Sequence, residues 1–221
     1  MWRKLAIAIL VAWPGWVWAA GVGHYYIPAS AFRVYEPADK PASCKISTFT
    51  GEFRTAANAP DRSLFTFSTA QSATNCLMYT EIWYPESHVD SSVTFTPKLY
   101  ITEGESTKAN TACFKVTYSV AASPTTSAWY STPSAAATAV TGSYAMTGTA
   151  DAEGTISFSS MTPYRVTGAG GANCSGTNCE NLPGILLIER CECGQDAGCP
   201  AGTDSADEVH GFGFDLSWVT P

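Results

Sequence analysis

Apolar side chains recur along this chain at a period of two, and no useful length repeats at the helical period, so the pattern predicts strands. Ala112 to Ala121 is the cleanest case: Phe114, Val116, Tyr118 and Val120 alternate with Lys115, Thr117 and Ser119. In Ser92 to Thr102, Val93, Phe95, Leu99 and Ile101 share one face, and Pro97 marks an edge or a bulge. Ile156 and Phe158 follow a Glu153-Gly154 turn, and Leu64 to Ser68 and Met78 to Tyr84 add further strands. Gly184 to Glu192 contains Ile185-Leu186-Leu187-Ile188, apolar on both faces as an interior strand is.

The last predicted strand, Val209 to Val219, puts His210, Phe212, Phe214, Leu216 and Trp218 on one side and Gly211, Gly213, Asp215 and Ser217 on the other. Glycines on the bare side admit the close approach of another group. Phe212, Phe214 and Trp218 are therefore the expected interface, either deep in the sheet or against a neighbouring subunit.

About seven or eight strands joined by Gly, Pro, Ser and Asn turns predict an all-β fold, a two-sheet antiparallel β-sandwich of jelly-roll type stapled by disulfides. Residues 121–150 are rich in Ala, Ser and Thr, but Trp129, Tyr130, Tyr144 and Met146 argue for irregular strands and a long loop inside one domain. Residues 20–63 have few apolar runs after Tyr25-Tyr26-Ile27 and are expected to form an arm packing on the body, with the sandwich over 64–221.

Met1 to Ala19 changes the picture of where this sandwich works. Arg3 and Lys4 precede an apolar stretch, Leu5 to Trp18, too short to span a bilayer comfortably, and Val17-Trp18-Ala19 offers a cleavage site. The stretch reads as an export signal, so the expected location is extracellular or at the cell surface, with no membrane segment after cleavage. The net charge is −7, and losing Arg3 and Lys4 makes it about −9. With no Lys/Arg cluster beyond the signal, nucleic acid is excluded as a partner.

All 8 cysteines follow the signal, and in an oxidising compartment they are expected to pair. Cys174 with Cys179 and Cys193 with Cys199 close local loops. Cys113 and Cys191 sit in apolar strands that they can bridge, leaving Cys44 with Cys76. The spacing matches no zinc or iron–sulfur ligand ladder, and there is no Cys-x-x-Cys redox motif.

Catalytic signals are sparse. His24, His88 and His210 lack both a nucleophile elbow and a His-Glu-x-x-His pair. Glu81 and Glu86 lie beside aromatics, but five residues apart on a strand they face opposite sides. The chain is therefore expected not to be an enzyme and to need no cofactor. Asp196, Asp204, Asp207 and Glu208 form an acidic loop, read first as solvated; calcium ligation is the alternative.

The succession Ile82-Trp83-Tyr84-Pro85, Val93-Thr94-Phe95-Thr96, Cys113 to Tyr118, Leu186 to Arg190 and Gly211 to Trp218 resembles uncharacterised β-rich proteins of phage and environmental bacteria. Those are similar to jelly-roll modules of tail fibres or other virion surface parts. The likeness spans Met78 to Val219 through short motifs, and it implies a trimeric or otherwise oligomeric structural module with no catalytic residue to carry over. The export signal and the cysteine-rich insertions depart from that pattern.

Two functions are expected. The first is a secreted, non-enzymatic structural or adhesive module that self-associates through the last strand or the arm. The second is a carbohydrate-binding domain that meets a glycan or surface polymer through Trp83, Trp129 or Tyr130, with calcium at the acidic loop.

Overall fold

The computed structural model describes residues 21–34, 44–49, 62–67, 76–86, 94–103, 110–121, 139–149, 152–167, 170–204 and 209–220. Its strands are β1 (Gly21–Pro28), β2 (Arg33–Val34), β3 (Cys44–Phe49), β4 (Arg62–Phe67), β5 (Cys76–Trp83), β6 (Phe95–Glu103), β7 (Thr111–Ala121), β8 (Val140–Ala145), β9 (Glu153–Ser157), β10 (Tyr164–Thr167), β11 (Gly170–Asn173), β12 (Pro183–Cys191) and β13 (Val209–Thr220). Short 3-10 turns lie at Ala29–Ala31 and Gly176–Cys179. Met1 to Ala19, expected to be an export signal, lie outside the described residues.

Two sheets face each other. Sheet A runs β3-β4-β13-β6-β9, with β1 also paired to β13; sheet B runs β11-β10-β7-β12-β5-β2, with β8 also paired to β7. Pairing is antiparallel except between β10 and β7. The expected two-sheet sandwich is therefore observed. Residues 20–63 were expected to form an arm packing on the body, and the described strands of this span pair into both sheets. β1 pairs β13 over its whole length, β2 pairs β5, and β3 pairs β4.

Alternation decides which side chains fill the space between the sheets. Phe114, Val116, Tyr118 and Val120 of β7 face Phe95, Leu99 and Ile101 of β6, all fully or almost fully buried. Edge-to-face ring pairs lock the layers: Phe67 with Phe114 at 5.0 Å and Phe95 with Tyr118 at 5.4 Å between ring centres. β12 lies between β7 and β5, and its apolar character on both faces is explained by a second, smaller cluster of Ala121, Val166 and Ile185 on the outer side of sheet B. Pro97 was expected at an edge or bulge. It lies in an interior strand, at the point where the β9 ladder stops at Lys98, and its carbonyl accepts from Phe158 N–H at 3.2 Å.

Two polar groups inside this core have opposite fates. Glu103 is fully buried, and its carboxylate accepts from Tyr144 O–H, Thr147 N–H, Thr147 O–H and Gly148 N–H at 2.7–3.2 Å. The loop after β8 is thereby tied to β6 by charge-assisted bonds. The Tyr118 hydroxyl, in contrast, is buried and makes no hydrogen bond among the described residues. Burial pushes its phenol well above the ordinary 10.0, and the Tyr25 and Tyr84 phenols push it further.

Two outcomes follow. Glu103→Gln puts an amide N–H2 against N–H and O–H donors and is expected to cost about 2 kcal/mol in chemical denaturation. Tyr118→Phe removes only a hydroxyl without a partner and is expected to stabilise by about 1 kcal/mol. A phenol pKa raised on folding contributes stability that is complete below the unfolded value of about 10 and is lost as pH rises above it. Above that pH the wild type should lose stability more steeply than Tyr118→Phe, a difference that denaturation curves taken across the range would resolve.

Candidate functional site

β13 contains the feature that shapes its outer face. Gly211 pairs with Ile101 and Gly213 with the next residue, Tyr100, so Phe212 is an extra residue in β13, a β-bulge. Before the bulge Val209 faces inward, and after it Phe214, Leu216 and Trp218 do. The expectation that Phe212 and Phe214 share a face is corrected here, because the inserted residue shifts the alternation. Phe214 is fully buried, and Trp218 packs on the core against Tyr25 at 4.7 Å and Phe95 at 5.6 Å between ring centres. Of the three expected interface residues, Phe212 alone points to the outer face.

On that face Phe212 stacks on Tyr100 at 5.9 Å with 28° between the planes, and Tyr26 of β1 meets Tyr100 at 6.4 Å. Tyr26 reaches Tyr100 by crossing β13 at Gly213. A Cβ built on Gly213 would fall on the Tyr26 hydroxyl and ring, so the phenol lies flat over the glycine. Tyr26 is 61% exposed despite that contact, so it presents a ring face to solvent. Polar groups border the patch. His24 and Asp215 form an ion pair at 3.3 Å when the histidine is protonated, Lys98 is the cross-strand partner of Asp215, and Thr66 bonds to His210 Nδ1 at 3.0 Å.

Sheet B presents a different surface. Tyr79, Glu81 and Trp83 alternate outward along β5, and Trp83 is 58% exposed. Beside them a groove of about 220 Å³ is lined by Ala31, Arg33, Tyr79, Thr80 and Glu81. Glu86 lies beyond the end of β5 and is exposed. Trp129, Tyr130 and His88 lie outside the described residues.

The cysteines form a knot at the far end of β12. Cys174–Cys179 is bonded as expected, but the other expected partners are exchanged, with Cys113 joined to Cys193 and Cys191 to Cys199. Cys191 and Cys193 are two residues apart, so both approach Cys113, which lies opposite Cys191 in register. After Cys191 the chain turns, with Glu192 carbonyl accepting from Gln195 and Asp196 N–H and with Gly194 and Gly198 at positive φ, and this returns Cys199 to Cys191. The Cys44 and Cys76 side chains lie outside the described residues.

The same turn employs two of the four loop carboxylates. Asp196 accepts from Glu192 N–H at 2.7 Å, and Asp204 accepts from Cys193 N–H at 3.5 Å. Partial burial raises the Asp204 carboxyl above its ordinary value, Arg190 and the Cys193 N–H pull it back, and Glu192 and Asp196 add to the rise. Asp207 and Glu208 lie outside the described residues, among which no group of three His, Cys, Asp or Glu is arranged to hold a metal ion.

No protein-family model and no curated protein sequence matches the chain. Solved structures with a weak likeness to this chain include the CBM22-1 and GH10 modules of Clostridium thermocellum endo-1,4-β-D-xylanase 10B, complexed with xylohexaose. That likeness has 11% identity and a TM-score of 0.41, over 86% of this chain and 26% of that one. Another is the enzymatically active domain of bacteriophage CBA120 tailspike protein 4, at 6% identity and a TM-score of 0.38, over 86% of this chain and 20% of that one.

The aromatic patch was missed by sequence reasoning because its members, at positions 26, 100 and 212, meet only through sheet register. Its one local signal is Gly211-Phe212-Gly213, two glycines around an aromatic within a strand, which marks a bulge. The cysteine knot generates its own test. In Cys199→Ser, the freed Cys191 should compete with Cys193 for Cys113, and peptide mapping should find both links. In Cys191→Ser/Cys199→Ser, mapping should find Cys113–Cys193 alone.

Proposed function

We propose that the protein is an extracellular adhesive module, without catalytic activity, that binds carbohydrate through Tyr26, Tyr100 and Phe212. The observation that carries this reading is the flat Tyr26 ring over Gly213, which turns three side chains into one solvent-facing apolar platform. A pyranose ring offers a face of C–H groups that stacks on such rings, while its rim of hydroxyls needs donors and acceptors. Lys98, Asp215, His24 and Thr155 lie on the same face to supply them. Disulfides among six of the cysteines support an oxidising compartment.

Self-association through the last strand is less well supported, because Phe214 and much of Trp218 are committed to the core of a single chain. An exposed aromatic platform of this kind still suits a polymer or a second copy better than bulk water.

The test separates ring position from ring identity. Tyr26→Ala and Tyr100→Ala are each expected to weaken binding to soluble polysaccharides about tenfold, or about 1.4 kcal/mol, in affinity electrophoresis. Gly213→Val keeps every aromatic but lifts Tyr26 from the sheet, and should lose as much. Wild-type binding by all three folded variants, or a wild type that dimerises through this face and binds no polysaccharide, would sink the proposal.

A further inference from the structure

We infer that a second, separate saccharide site lies at the margin of sheet B, built from Arg33, Tyr79 and Glu81 with Trp83 next along the same face of β5, and that it takes the end of a neutral sugar chain. Among the described residues β2 pairs β5 at two positions, Arg33 opposite Tyr79 and Val34 opposite Met78. Immediately before Arg33 the chain forms the Ala29–Ala31 turn instead of continuing the ladder. Where pairing stops, the groove of about 220 Å³ opens between Ala31 and Glu81. Its size suits one or two sugar units better than a chain lying along a sheet.

The lining chemistry selects the ligand. The Arg33 guanidinium donates and does not accept, the Glu81 carboxylate accepts and does not donate, and the Tyr79 hydroxyl does both. Neighbouring sugar hydroxyls match this set, one accepting from the guanidinium while the next donates to the carboxylate. Two opposite charges in one groove leave no excess positive field for a polyanion, and the net charge of −7 repels one. An amino-acid zwitterion would satisfy both charges but leaves Trp83 unused. Trp83 lies two residues beyond Glu81 on the same face, with more than half of its surface in solvent, and supplies the apolar plane that a sugar ring stacks on.

This site is independent of the platform on sheet A. The full mature chain is titrated with short neutral gluco-, manno- and xylo-oligosaccharides, with uronate oligosaccharides and with glycine, using calorimetry to read stoichiometry. Two sites per chain are expected for the preferred neutral oligosaccharide. Trp83→Ala, Arg33→Gln and Glu81→Gln should each remove one site, lowering its affinity at least tenfold, and Tyr100→Ala should remove only the other. Trp83→Phe, which keeps an apolar ring, should retain measurable groove binding and covers the case in which the alanine variant fails to fold.

A single site abolished by Trp83→Ala and untouched by Tyr100→Ala upholds the groove and overturns the platform. The inference is overturned by a single site abolished by Tyr100→Ala and indifferent to Trp83, Arg33 and Glu81. Preferential uptake of uronates or glycine, or no binding of any neutral oligosaccharide, overturns it equally.

Discussion

Sheet A depends on one extra residue in β13. This strand pairs with β6 along one side, while its other side is shared, Val209 to Gly211 with β4 and Gly213 to Thr220 with β1. The bulge at Phe212 lies at the division. Alternation is strict on either side of it but changes phase across it, so Val209 and Phe214 both face inward although five residues separate them. If Phe212 were instead paired in regular register with every residue retained, Phe214 and Leu216 would face solvent, and Asp215 and Ser217 would enter a space filled by Phe95 and Leu99.

A related economy runs through both sheets. Rings lie over glycines of paired strands: Trp218 over Gly23, Tyr164 over Gly171, Tyr118 over Gly184 and Tyr26 over Gly213. A glycine leaves a gap in the pleated surface, and a large planar side chain from the next strand fills it. In most of these pairs the ring is directed toward the interior or a strand margin. At Gly213 the same packing rule operates on the solvent side, and the ring that fills the gap stays exposed.

Much of the architecture was legible because burial on one face writes itself as alternation. β7 and β6 show that pattern, and β12 shows the continuous apolar run of a strand covered on both sides. What escaped depends on long-range register. The faces of β13 were misassigned because Gly211 and Gly213, the local mark of the bulge at Phe212, read equally well as two positions of one bare face. Cys113 had two candidates two residues apart, and the turn after Cys191 decided between them. Within 20–63, β3 looked too polar for a sheet because Lys45, Ser47 and Thr48 intersperse Ile46 and Phe49, and serine and threonine suit strands without being apolar. Trp83 was legible as a candidate, whereas its neighbours Arg33 and Glu81 come together only because β2 leaves β5 so early.

The crossed pairing of Cys113, Cys191, Cys193 and Cys199 has a consequence for survival under proteolysis. A single peptide-bond cut between Cys113 and Cys191 leaves the two pieces joined through Cys113–Cys193, and one between Cys193 and Cys199 leaves them joined through Cys191–Cys199. A cut between Cys191 and Cys193 leaves both links intact. Any one nick by a protease across this stretch, from Cys113 in β7 to Cys199, therefore yields a single covalent molecule whose pieces stay joined.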